Sequence, residues 1–101
     1  MYEQTRKYLA ENEGNSIKLR GKISNTMWQH IQIHLETHPN MNYFDLEDGF
    51  QIIIYSQDPI SCKDKMEIEG KVIKVEGVKN SRSKANGFSE YHLVVDSWKK
   101  I

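Results

Sequence analysis

Three histidines, His30, His34 and His38, recur at every fourth position, the spacing at which two side chains on one helix turn share a metal ion. On an extended chain the same spacing separates the imidazoles by about 13 Å, too far for one zinc. The chemistry therefore depends on the backbone of residues 25–42. As a helix, Met27, Ile31 and Leu35 would stack, Thr26 would cap and Pro39 would terminate. As a strand, Ile31, Ile33 and Leu35 face one way and His30, Gln32, His34, Glu36 and His38 the other. The β-branched alternation is the tighter pattern, so the extended reading is preferred and no metal site is expected.

A second concentration of chemistry lies in residues 79–89 (KNSRSKANGFS), where Lys79, Arg82 and Lys84 are followed by Phe88. Cations that hold a phosphate backbone beside an aromatic that stacks on a base are what single-stranded nucleic acid requires. The plain alternative is a solvated loop with Phe88 folded back as a lid. Enzyme motifs are missing: there is no phosphate-cradling glycine loop, nucleophile elbow or metalloprotease helix, and the acidic residues near histidines define no acid–base pair. No catalytic residue and no cofactor is expected.

The bulk numbers bound these readings. The 101 residues suffice for one modest core. Lys+Arg and Asp+Glu each number 14, so attraction to phosphate must come from charge segregated onto one surface. Cys62 is the single cysteine and cannot bridge within the chain, which suits a reducing compartment. The N-terminus lacks a signal-peptide core, and the longest apolar run, residues 52–55, is far short of a membrane span. A cytoplasmic protein with no membrane contact is the expectation. The chain ends directly after its last strand-like segment, as a module of a larger protein would.

The elements that would position these residues follow from pattern. Residues 2–13 are rich in helix formers, with Tyr2, Leu9 and Ala10 for docking and Gly14 as a stop, so residues 1–14 form an N-terminal helical segment and 15–101 a β-domain. Residues 16–24 alternate Ile17, Leu19, Gly21 and Ile23 against Lys18, Arg20 and Lys22, with a bend expected at Gly21. Residues 43–55 form a hairpin around Asp48-Gly49, pointing Phe44, Leu46, Phe50, Ile52 and Ile54 inward and Tyr43, Ile53 and Tyr55 outward. Residues 66–78 change phase beside Gly70, as a strand serving both halves of a barrel does. Residues 90–98 close the set, with Tyr91, Leu93 and Val95 on one face.

The segments SIKLRGKIS, YFDLEDGFQIIIYS, KMEIEGKVIKVEG and EYHLVVDSW, in this order, resemble the OB-fold superfamily of oligonucleotide- and oligosaccharide-binding domains. Residues 57–64 are too short for the helix that often precedes the fourth OB strand, and the connection after the first strand is unusually long. The resemblance implies an all-β, five-stranded Greek-key barrel with a short N-terminal helix. It also implies a binding face on the second and third strands, which here selects Trp28, His30, Tyr43, Tyr55, Lys79, Arg82, Lys84 and Phe88 as nucleic-acid contacts. Single-stranded DNA or RNA is the expected partner. A protein partner, met by Tyr43, Ile53 and Tyr55, is the alternative, and Asp45 and Glu47 on that face favour it. The pairing implied by the resemblance also sets Lys18, Arg20 and Lys22 beside Glu67 and Glu69, which neutralises the basic stripe.

Overall fold

The computed structural model describes residues 2–28, 30–76 and 89–101. One helix, α1 (Glu3–Glu11), precedes five strands: β1 (Ser16–Ile23), β2 (Asn40–Leu46), β3 (Gln51–Ser56), β4 (Met66–Glu76) and β5 (Ser89–Lys100). The strands close into a barrel in the order β1-β2-β3-β5-β4, with β4 returning to β1. All neighbours are antiparallel except β3 and β5, which run parallel where Ile54 meets Leu93 and Tyr55 meets Val94. The expected all-β barrel with a short leading helix is therefore present.

Strand alternation fills the barrel. Ile17, Phe44, Leu46, Ile52, Ile54, Met66, Ile68, Val72, Leu93 and Val95 form one buried cluster. Leu9 of α1 joins it at 1 % exposure, and burying such a side chain contributes about 2 kcal/mol. Ala10, by contrast, faces solvent, and Tyr2 reaches only the edge of the Phe50 ring, 5.5 Å between centroids. The helix leads directly onto β4: the Gly14 N–H donates to the Val72 carbonyl at 2.8 Å and the Val72 N–H to Asn15 at 3.0 Å.

Turn chemistry and close approach fix the register. Gly49, at φ +91°, turns β2 into β3 at the Asp48-Gly49 pair. Between Glu69↔Ser97 and Gly70↔Val95 the β4–β5 register slips by one, leaving Asp96 unmatched, so the irregularity expected beside Gly70 is a bulge on the partner strand. The backbones press together there. A Cβ on Gly70 would sit 2.1 Å from the Val94 carbonyl oxygen, and one on Gly21 would sit 2.0 Å from that of Asp45. The alternation of β4 then runs from Val72 to Val75, both buried, across the expected change of phase.

Opposite charges line the outer face of β1 and β4. Arg20 Nε donates to Glu67 at 3.0 Å, Lys99 lies 3.6 Å from the other Glu67 oxygen, and Lys18 is the register partner of Glu69. The hydrogen bond from Arg20 holds the Glu67 carboxyl below its usual value. Exposed pairs of this kind contribute little stability, but they engage Arg20; Lys22 lies past the β4 pairing, opposite Asp45 of β2 and not beside Glu67 or Glu69 as expected.

The expected strand or helix at residues 25–42 is only partly realised: Asn40 to Asn42 begin β2, while the described residues from 25 to 39 are irregular chain. The physical reason is that their partners are side chains of the barrel wall rather than a neighbouring strand. Replacing Gly70 with alanine should force the β4 and β5 backbones apart and destabilise the protein by about 1–3 kcal/mol. Urea unfolding should show a lower midpoint, and an unchanged midpoint would mean that the two strands do not approach so closely.

Candidate functional site

Strand β3 is buried along its whole length, on both faces. Its even positions, Ile52 and Ile54, belong to the core. Its odd positions, Gln51, Ile53 and Tyr55, point out of the barrel, yet Ile53 is 0 % and Tyr55 1 % exposed. Over that side lies the connection after β1, of which Ser24, Thr26, Trp28, His30, Ile31 and Gln32 hydrogen-bond to Tyr43, Gln51 and Glu90 of β2, β3 and β5 and form a strap. The outward direction expected for Ile53 and Tyr55 is correct; their availability to a partner is not, because the strap occupies that face.

A chain of hydrogen bonds fastens the strap. Gln51 directs its carboxamide nitrogen to the Thr26 carbonyl (2.6 Å), Ser24 Oγ (3.0 Å) and Asp45 Oδ1 (3.1 Å). Its oxygen accepts from the Trp28 N–H at 3.2 Å and from His30 Nε2 at 2.9 Å. Thr26 offers only an acceptor and the Trp28 amide only a donor, so the orientation of the carboxamide is determined. The other nitrogen of His30, Nδ1, lies 2.9 Å from Glu90 Oε1, so the ring donates to Gln51 and Glu90 together only in its protonated form, and Glu90 Oε2 accepts the Ile31 N–H at 3.0 Å. Glu90 Oε1 also accepts from His92 Nε2 at 2.9 Å, while His92 Nδ1 accepts from the Tyr55 hydroxyl at 2.7 Å.

The electrostatics follow from this order. Burial lowers the tendency of His92 to take a proton, and the neighbouring Glu90 only partly restores it. Burial opposes the charge on Glu90 too, but the bonds from His92, Ile31 and His30 together hold its carboxyl below the usual value. The Tyr55 hydroxyl is pushed up to about 12, mainly by burial, with the Ile33 N–H acting in the opposite direction. A Tyr–His–Glu chain of this kind has the form of a proton relay, and its central His92 side chain is only 1 % exposed.

The expected contact residues are thus divided. Trp28 is held by its backbone and is 65 % exposed, with Met27 beside it at 76 %. His30 and Tyr43 are half-buried with rings 5.8 Å apart, and the Tyr43 hydroxyl accepts from Gln32 at 2.8 Å. Tyr55 is buried beneath the strap. Lys79, Arg82, Lys84 and Phe88 lie outside the described residues. His34 is exposed and His38 bonds to Thr37; among the described residues no group of three His, Cys, Asp or Glu side chains is placed to hold a metal ion. Neither acidic residue of the β2 end stands alone: Asp45 receives Gln51, and Glu47 pairs with Lys65.

Gln51, Glu90 and His92 had no distinguishing mark in the sequence. A glutamine opening an otherwise apolar strand, and a histidine flanked by Tyr91 and Leu93, were the only local signals. Two clefts adjoin the clasp. One, of about 380 Å³, is lined by Lys22, Ile23, Asn25, Thr26, Asp45 and Lys63. The other, of about 280 Å³, opens between α1, the strap and the starts of β3 and β5.

The clasp carries a pH signature. Below 6.5 the unfolded chain protonates His92 while the folded chain resists, so stability falls as pH drops from that value. Below 4.5 the unfolded chain protonates Glu90 before the folded chain does, and stability falls again. Urea midpoints across this range should show both declines, and His92→Gln should remove the first. Tyr55→Phe, which leaves His92 Nδ1 without its donor, should cost about 1–3 kcal/mol. No protein-family model, curated protein or solved structure matches the chain.

Proposed function

We propose that the barrel is an OB-fold and that the protein is a cytoplasmic module that binds single-stranded nucleic acid along the rim of the strap. Support for the fold comes from the β1-β2-β3-β5-β4 closure and from the long connection crossing the β2–β3 face, where OB domains bring a loop to their ligand. The observation that carries the function is Trp28. Its amide is fixed to Gln51 while its indole stays 65 % exposed, so the ring is presented rather than buried. Thr26, two residues earlier, lines the cleft that also contains Lys22 and Lys63, and neither lysine has an ion-pair partner among the described residues. A stacking ring two residues along the chain from a cleft that holds Lys22 and Lys63 as well as Asp45 suits a base and its flanking phosphates. Lys79, Arg82, Lys84 and Phe88 add the same chemistry from residues 77–88.

The reading is of a binder, not an enzyme: the residues with the most displaced protonation behaviour are engaged with one another inside the clasp. A protein-docking reading has its own observation, since Met27 adjoins Trp28 and the two form an exposed apolar pair at a place where the sheet face is closed. Titration of labelled single-stranded DNA and RNA separates them. In a Trp98→Phe background, oligonucleotide should quench Trp28, affinity should fall steeply as salt rises, and Trp28→Ala should weaken binding by about tenfold or more. Lys79, Arg82 and Lys84 changed together to alanine should flatten the salt slope. Absence of binding at low salt would overturn the nucleic-acid reading and leave the docking one.

A further inference from the structure

We infer that the cleft of about 280 Å³ between α1, the strap and the starts of β3 and β5 is a pocket for a single nucleotide. The choice of ligand rests on the nucleic-acid reading above; the site itself is separate from the Trp28 rim. Its walls combine three kinds of surface. Leu9, Phe50 and Tyr91 provide an apolar and aromatic lining suited to a planar base. Arg6 stands with its guanidinium 5.9 Å from the centre of the Phe50 ring and has no carboxylate partner among the described residues. Glu90 supplies a fixed acceptor.

The state of Glu90 defines what can enter. A carboxylate offers about four lone-pair positions. Three are taken, by His30, His92 and the Ile31 N–H, and the Oε2 atom that accepts Ile31 has one left. That remaining position takes a neutral N–H, such as the amino or imino hydrogen of a base. It does not take a phosphate, which the carboxylate repels. Arg6 takes the phosphate, two of whose oxygens accept the parallel N–H donors of the guanidinium fork. A fatty acid would leave the Glu90 position empty, and a bare anion would leave the aromatic walls unused. The volume lies just below the range of drug-sized sites, enough for one nucleotide and too small for a strand. The nucleotide could be free or could be the phosphorylated end of a strand, and both present the same atoms.

Amide and arginine side-chain NMR shifts distinguish the cases. Nucleoside 5′-monophosphates should shift the signals of Arg6, Ser89, Glu90 and Tyr91, while unphosphorylated nucleosides should bind more weakly. Arg6→Gln, a change at an exposed position, should reduce monophosphate affinity by about tenfold and leave nucleoside affinity alone. Oligonucleotides with and without a 5′ phosphate then identify the source: cleft shifts specific to the phosphorylated strand indicate a terminal nucleotide, and shifts from monophosphates alone indicate a free one. Cleft shifts that persist in Trp28→Ala while strand affinity collapses would support a pocket separate from the rim. If monophosphates bind here and no oligonucleotide binds anywhere, the strand-binding reading fails and the pocket stands. If monophosphates at millimolar concentration leave these signals unmoved, or inorganic phosphate reproduces their effect in full, the pocket is overturned.

Discussion

Glu90 joins two parts of this protein that the backbone does not join. It sits at the start of β5 and accepts hydrogen bonds from two residues of the strap, His30 and Ile31, and from His92 on its own strand. Placing a carboxylate at such a half-buried position is costly unless its oxygens are satisfied, and three donors satisfy them. The strap therefore does more than lie on the sheet: its removal would strand a charge. Gln51 repeats the arrangement at the start of the neighbouring strand β3, one His30 ring away, with both ends of its carboxamide engaged. These two side chains turn a long connection, which would otherwise be free to wander, into the outer layer of a two-layered wall.

That layer explains the composition of β3. A barrel strand normally alternates, with one face in the core and the other in water. Residues 52–55, Ile-Ile-Ile-Tyr, do not alternate, and β3 is buried throughout. An apolar run of four is the signature of a strand covered on both sides. The polar groups that remain on its outer side, Gln51 and the Tyr55 hydroxyl, are each hydrogen-bonded, and no buried side-chain nitrogen or oxygen among the described residues lacks a partner. Hydrophobic burial and polar satisfaction thus agree on one placement of the strap.

The fold was legible because each strand carried local, period-two information: the Ile17–Leu19–Ile23 alternation, the Asp48-Gly49 turn and the slip beside Gly70 all correspond to real features. Even the pairing of Arg20 with Glu67, 47 residues apart, followed from the strand order. The site was less legible, for a physical reason. Parity tells which way a side chain points, so Tyr55 was correctly read as outward. It does not tell what lies over that side, and the strap has no periodic pairing to betray it. His92 was hidden in the same way. Its position between two inward residues implies an outward ring, yet that ring is buried and bonded to Tyr55 and Glu90. The unbroken apolar run in β3 was the one signal of a covered face.

The two proposed sites lie at margins of the strap, and both lead back to the same clasp. Trp28 and Thr26 bond to Gln51, which bonds to His30; His30 bonds to Glu90, which lines the opposite cleft. A group entering that cleft and bonding to Glu90 competes for, or reinforces, the acceptor that holds the strap. A base stacking on Trp28 loads the segment whose amide is fixed by Gln51. Because the carboxamide and carboxylate are saturated or nearly so, neither end can change its partners without altering the bonds of His30 between them. The clasp that closes the barrel face is therefore also the shortest run of hydrogen bonds between the two proposed sites.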